Sequence, residues 1–260
     1  MKTIAISGKG GTGKSTLSAL IVRWLKANGV KSILAVDADS NVNLNDLLGT
    51  DLRESVGSIR EEMRKSVDQL PAGMTKQEFL EYKIHTSLVE TPDFDLIAMG
   101  RPEGPGCYCY ANNLLRDILK TLSTNYQWVV IDNEAGMEHL SRRTTQNIDY
   151  LLIISDPSAR GIRAAGRISR LLSELDTRVG LRHLILNRVR ESIGNSAPES
   201  LIRIIDEEGL SLFASIPEDE QLLTMDQTGD PVWSIAEDSL VYRAVDTFMN
   251  KLTQRGKNGL

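Results

Sequence analysis

The chain has 260 residues, with 30 Lys+Arg against 35 Asp+Glu for a formal net charge of −5, 41% hydrophobic residues and two cysteines. A chain this long buries a sizeable core without disulfides or a structural metal, and its apolar share with 20 Gly and 8 Pro excludes collagen-like, low-complexity and disordered classes. The mild acidity argues against a nucleic-acid coat or a polybasic membrane binder, and two cysteines exclude a disulfide framework and fit a reducing compartment.

In chain order, short apolar runs predict strands over 3–7, 32–37, 94–99, 128–132, 150–155, 183–187 and 212–216. Helices are expected over 14–28, 113–122, 158–175, 198–208 and 239–255, the first and fourth closed by Gly29 and Gly209. Most strand runs are continuously apolar, as in parallel strands covered on both faces. The alternation therefore predicts an α/β fold: a doubly wound, mostly parallel sheet flanked by helices. The span at about 51–91 breaks the rhythm and is read as a charged helical insertion, within one domain covering 1–260. No signal-like leader and no apolar run of ~18 residues is visible, so a cytoplasmic protein is expected, with neither membrane nor nucleic acid as partner.

Directly after the first strand comes Gly8-Lys9-Gly10-Gly11-Thr12-Gly13-Lys14-Ser15-Thr16, a G-x-x-x-x-G-K-[ST] phosphate loop placed between strand and helix. Its glycines let backbone N–H groups wrap phosphates, and the helix N-terminus adds a positive dipole end. Lys14 is expected at the β/γ-phosphates and Ser15 on Mg²⁺. The second strand ends in Asp37-Ala38-Asp39-Ser40, and 129–132 is an apolar run ending in Asp132, followed by Asn133-Glu134-Ala135-Gly136. Acids at the C-terminal ends of adjacent parallel strands reach one crevice.

The extra lysine, Lys9, makes the loop similar to the deviant Walker A signature of the MinD/ParA/nitrogenase-iron-protein class of dimeric ATPases. The resemblance implies that Lys9 crosses to the partner subunit's nucleotide. It also implies that Asp39, in a first switch, positions or deprotonates the attacking water and meets Mg²⁺ through water. Asp132 becomes the Walker-B-like acid and 133–139 the second switch. The same class implies an adenine pocket made by Asn187, Arg188, Pro217 and Asp219.

Cys107-Tyr108-Cys109 lies in a Pro/Gly-rich loop at about 101–111. The spacing is poor for an unstrained disulfide, whereas two thiolates are half of a tetrahedral soft-metal site. His85, His139 and His183 are scattered, so a second copy across a two-fold axis is the simplest way to reach four ligands. A pair of unliganded thiols in an ordered loop is the alternative. Residues 106–115 and 131–142 together resemble the CooC/AcsF nickel-insertion ATPases, which mature carbon monoxide dehydrogenase and acetyl-CoA synthase. That resemblance implies a homodimer binding ATP/ADP and Mg²⁺, with Ni²⁺ (or Zn²⁺) on Cys107 and Cys109 at its interface and a nickel enzyme as client. The chain departs from some relatives in reading Asp39-Ser40 where they have Asp-Pro. Two rival readings are a MinD/ParA-like positioning ATPase and an iron–sulfur electron-transfer ATPase; neither explains the Cys-x-Cys loop. The charges at 60–65 and the arginines 160, 163, 167 and 170 read as solvated helix faces.

Overall fold

The apolar runs assemble into one eight-stranded sheet in a computed structural model that describes residues 1–59, 75–100, 125–135, 147–173, 178–190 and 198–255. The strands are β1 (Lys2–Gly8), β2 (Ile33–Ala38), β3 (Val89–Glu90), β4 (Asp95–Ala98), β5 (Trp128–Asn133), β6 (Asn147–Ser155), β7 (Arg178–Val189) and β8 (Leu212–Pro217). Their order across the sheet is β3-β4-β2-β5-β1-β6-β7-β8, and every pairing except β3 with β4 is parallel. The doubly wound, mostly parallel sheet expected from the alternation is thus present, with helices on both faces.

Helices α1 (Lys14–Ala27), α2 (Leu44–Leu48), α3 (Lys76–Ser87), α4 (Ala159–Ser173), α5 (Glu199–Glu207), α6 (Glu220–Thr228) and α7 (Leu240–Arg255) connect the strands. Side chains alternate across the sheet. In β1, Ile4 and Ile6 face a core built with Leu20 and Trp24 of α1 and Val245, Phe248 and Leu252 of α7. Ala5 faces the opposite core, with Ile131, Ile153, Ile162 and Ala165. Trp24 Nε1 donates to Asp246 Oδ1 at 2.8 Å and Arg23 lies over the Tyr242 ring at 4.4 Å, pinning α1 to α7.

Three departures from the sequence reading have physical causes. The 51–91 span holds a strand after all: β3 pairs antiparallel with β4 (Val89↔Leu96) across a turn in which the Thr91 N–H donates to the Phe94 carbonyl at 3.1 Å. Two residues are too few to show alternation. Helix α3 lies in the same span and starts at a capping box between Thr75 and Glu78. Strands β6 and β7 begin upstream of their apolar runs because Asn147, Asp149, Arg178 and Arg182 belong to their polar starts. Helices α2 and α6 escaped notice because one has five residues and the other little apolar periodicity. The expected helix at 113–122 lies outside the described residues.

Candidate nucleotide site

Strand β1 carries its last residue, Gly8, to the C-terminal edge of the sheet, and the chain then loops back into α1. Two glycines there have no substitute. A Cβ on Gly8 would overlap the Ile154 carbonyl oxygen of β6. Gly13 is the N-cap of α1 with φ +89, and a Cβ there would overlap Asn187 Nδ2. The loop is braced from within: the Thr12 hydroxyl donates to the Lys9 carbonyl at 2.8 Å and Lys14 Nζ to the same oxygen at 3.4 Å. Two residues from the end of β7 brace it from outside. Asn187 Nδ2 donates to the Thr12 carbonyl at 2.8 Å and Arg188 Nη1 to the Gly11 carbonyl at 3.3 Å. Arg188 does so in the left-handed region, φ 59, the one non-glycine residue with positive φ among the described residues.

Lys14 is buried and Lys9 exposed, the placement needed for one lysine inside the cradle and another reaching outward. Ser15 and Thr16 follow in the first turn of α1. The α1 N-terminus, with no side-chain cap, leaves its first N–H groups directed at the mouth.

Two buried acids stand side by side beneath the loop. Asp37 and Asp132 are register partners across β2 and β5, each 1% exposed. Burial pushes the Asp132 carboxyl up to about 7, helped by the neighbouring Asp37 charge and opposed by the Ser15 and Ser18 hydroxyls and the Lys14 ammonium. Burial likewise raises Asp37 to about 6, against three backbone N–H groups that stabilise its charge. Those donors are Asp39 N on Oδ1 and Asn43 N and Leu44 N on Oδ2, all at 3.0 Å. Asp37 therefore shapes the loop on which Asp39 is carried, a role the sequence reading missed. The signal was a charge ending a strand that is otherwise apolar on both faces.

Asp39 is half-buried, with Oδ1 accepting from Asn41 N at 2.8 Å. Ser40 Oγ donates to Glu134 Oε1 at 3.2 Å, linking the loop after β2 to the one after β5. Asn133 Nδ2 donates to the Ile6 carbonyl at 2.8 Å and ties the end of β5 to β1.

These loops surround an open cavity of ≈ 560 Å³ lined by Gly10, Gly11, Gly13, Lys14, Ser15, Thr16, Asp39, Glu134 and Arg188. That size suits a small charged ligand. A recess of ≈ 20 Å³ adjoins it, where Gly13, Asn187, Arg188, Pro217 and Asp219 meet. The four residues assigned to a base pocket are thus together, but the recess has room for about one water. The Asp219 carboxylate is committed elsewhere: it caps α6 by accepting from Leu222 N at 3.1 Å and accepts from Val241 N at 3.0 Å.

Among the described residues, Asp132 Oδ1 is buried with no hydrogen-bond partner. A carboxylate oxygen orphaned beside Ser15 and Lys14 fits a hydrated hard cation, and the hydroxyl and carboxylate donors at the mouth suit Mg²⁺. Among the described residues no group of three or more His, Cys, Asp or Glu is placed to hold a metal. Cys107, Cys109, Gly136 and His139 lie outside the described residues. His183 is buried in stacked contact with Phe213, ring centroids 4.0 Å apart, away from the mouth.

The model of the CobQ/CobB/MinD/ParA nucleotide binding domain matches residues 3–232. An uncharacterized ATP-binding protein of Methanocaldococcus jannaschii is 43% identical over 97% of this chain and 98% of its own length. The carbon monoxide dehydrogenase accessory protein CooC of Rhodospirillum rubrum is 28% identical over 87% of each chain. The septum site-determining protein MinD of Helicobacter pylori is 25% identical over 87% of this chain and 81% of its own. In fold, the chain matches a ParA family ATPase from Chlorobium tepidum with a TM-score of 0.71 at 19% identity, covering 96% of this chain and 98% of that one. It also matches MinD of Pyrococcus horikoshii, complexed with Mg-ADP, with a TM-score of 0.66 at 20% identity, covering 98% and 97%. No helix among the described residues is long and apolar enough to cross a membrane.

Proposed function

The chain belongs to the CobQ/CobB/MinD/ParA nucleotide-binding family, and on that premise we propose that it is a Mg²⁺-dependent ATPase whose dimer closure controls nickel delivery to carbon monoxide dehydrogenase or acetyl-CoA synthase. The observation that supports the reading is where the described strand that precedes the Cys-x-Cys segment in sequence comes to its end. Strand β4 runs parallel to β2 and ends at Ala98, on the same edge as the phosphate loop and Asp39, and the cysteines follow at 107 and 109. In this reading each chain contributes two thiolates, and a two-fold axis makes four. The 28% identity to CooC over most of both chains supports the same client class.

In this reading the backbone N–H groups of Gly10 to Ser15 receive the phosphates and Lys14 neutralises the β- and γ-oxygens. Ser15, with Asp39 and Asp132, would hold Mg²⁺, which would supply charge neutralisation along the phosphate chain. Asp39 orients the attacking water and takes up its proton, and Lys9 of one subunit reaches the nucleotide of the other. Asn187, Arg188 and the Pro217–Asp219 loop take the base, which requires the ≈ 20 Å³ recess to widen. Closure brings the two cysteine loops together, and hydrolysis lets them part.

The test is nickel per dimer, by metal analysis after size exclusion with and without Mg-ATP, in the parent and in Cys107→Ser with Cys109→Ser. One nickel per dimer that the double change abolishes supports the reading; stoichiometric nickel that survives it refutes the site. The MinD relative favours a second reading, a positioning ATPase on a surface. ATP-dependent pelleting with liposomes or DNA, in a protein that takes up no nickel, would replace the first reading with that one.

A further inference from the structure

We propose that the groove between edge strand β8 and helix α7 receives an extended acidic peptide of a partner protein, which adds to the sheet as a further strand. The proposal is independent of the metal reading. Among the described residues strand β8 ends the sheet and pairs on one side only, with β7. An open edge presents backbone groups that another strand can take up. Along it, Lys251 Nζ donates to the Phe213 carbonyl at 3.5 Å and lies over the Phe213 ring at 4.6 Å.

Beside that edge is an open cavity of ≈ 730 Å³. Its apolar wall includes Phe213, Phe248 and Leu240, the last 47% exposed. Its charged groups among the described residues are Arg190, Arg243 and Lys251. Arg243 and Lys251 stand two turns apart on the exposed stripe of α7, on either side of Thr247, and Arg190 closes the end beyond β7. Among the described residues, Glu218 lies 3.3 Å from the Arg190 Nε and is partly solvated. In a chain of net charge −5, these three described cations around a sheet edge, one of them paired with Glu218, make a locally positive surface.

Charge alone would also suit a single-stranded nucleic acid, but that class needs exposed aromatic platforms on which bases stack. Here Phe213 is 7% and Phe248 2% exposed, so neither offers a ring face. Backbone pairing to β8, with alternate acidic side chains turned toward Arg243 and Lys251, uses every feature of the groove. The charge selects the peptide and the edge orders it.

The probe is a fluorescein-labelled peptide of alternating Glu and Val, titrated with the full chain at low salt and read by anisotropy. Saturable binding is expected, weakened about tenfold or more by Arg243→Glu with Lys251→Glu, and absent for an alternating Lys–Val peptide. A Glu–Val peptide N-methylated at alternate residues keeps its charge and loses strand pairing, so it is expected not to bind. If the double variant shifts the melting temperature, Arg190→Glu serves in its place. No saturable binding, equal binding by the charge-reversed variants, or equal binding of the N-methylated peptide overturns the proposal. Tighter binding of oligothymidylate, lost in the same variants, overturns it in favour of a nucleic-acid site.

Discussion

Replacing Asp132 by Asn removes one titrating group while keeping its size and hydrogen-bond acceptor, so the cost of burying that charge becomes measurable. In the folded chain Asp132 is raised from 3.8 to about 7, burial being the main cause. Below pH 3.8 both the folded and the unfolded chain keep the proton, and the group contributes no slope. Between 3.8 and about 7 the unfolded chain has released it and the folded chain has not, so stability falls with each pH step. Above about 7 both states are ionised and the loss stays constant. At roughly 1.4 kcal/mol per pH unit the full loss is about 4 kcal/mol, a ceiling because Asp37 is relieved when its neighbour becomes neutral. Urea unfolding of parent and Asp132→Asn, without nucleotide or Mg²⁺, should be run from pH 4 to pH 8. The stability of the variant relative to the parent is expected to rise through that window and level off near pH 7.5. A difference that is flat, or that falls as pH rises, refutes the buried-charge account. Ligand binding gives the mirror image: a cation that requires ionised Asp132 binds more tightly from pH 6 to 8 in the parent, by up to about tenfold.

Lys14→Ala removes the buried ammonium at the mouth and is expected to weaken ATP binding at least about tenfold, by calorimetry, with little change in melting temperature. Lys9→Ala, at an exposed position, is expected to leave nucleotide affinity intact and abolish any ATP-dependent dimer seen by light scattering; a dimer that persists unchanged refutes the cross-subunit role. Asn187→Ala strips the support from the Thr12 carbonyl and should cost roughly 1–2 kcal/mol in unfolding free energy, with weaker nucleotide binding besides. Phe248→Ala, at 2% exposure between α7 and the sheet, should cost about 3–5 kcal/mol in the same measurement and spare nucleotide affinity.

What the sequence made legible follows from which residues state their environment by type. Continuous apolar runs such as 33–36 and 151–154 can lie only in a sheet covered on both faces, so strand positions and the parallel class were readable. The phosphate loop was readable because its glycines are needed where side chains would meet Ile154 and Asn187, a backbone demand that leaves a sequence trace. Less was visible where a residue acts through geometry made by others. Nothing local marks Asp37 as the acceptor for three N–H groups from 39, 43 and 44, since those amides come from the backbone. Nor does Asp219 announce that its carboxylate spans the starts of α6 and α7, accepting from Leu222 N and Val241 N. Short polar elements such as α2 and β3 carry too few residues for any period to register.

The two acids of Asp37-Ala-Asp39 show how the mouth divides labour between shape and chemistry. Asp37 has both oxygens committed to backbone N–H groups and lies buried opposite Asp132, so it is badly placed to accept a proton from a reacting water. Asp39 sits two residues further on, past the strand end, half-exposed and lining the cavity, with Oδ1 alone accepting from the backbone. Removing Asp37's charge would therefore act on Asp39 through the path of residues 39–44 rather than on the reacting atoms. The next residue, Ser40, carries the connection across to Glu134 on the loop after β5. Because that loop starts from the strand that also holds Asp132, a displacement at Asp39 reaches both sides of the mouth through a single hydrogen bond and two strand ends. In a fold whose strands are fixed by a full ladder of parallel pairs, the loops at their C-terminal edge are the parts able to move with the ligand. Among the described residues, the Ser40–Glu134 contact is one place where such movement in one loop can be passed to the other.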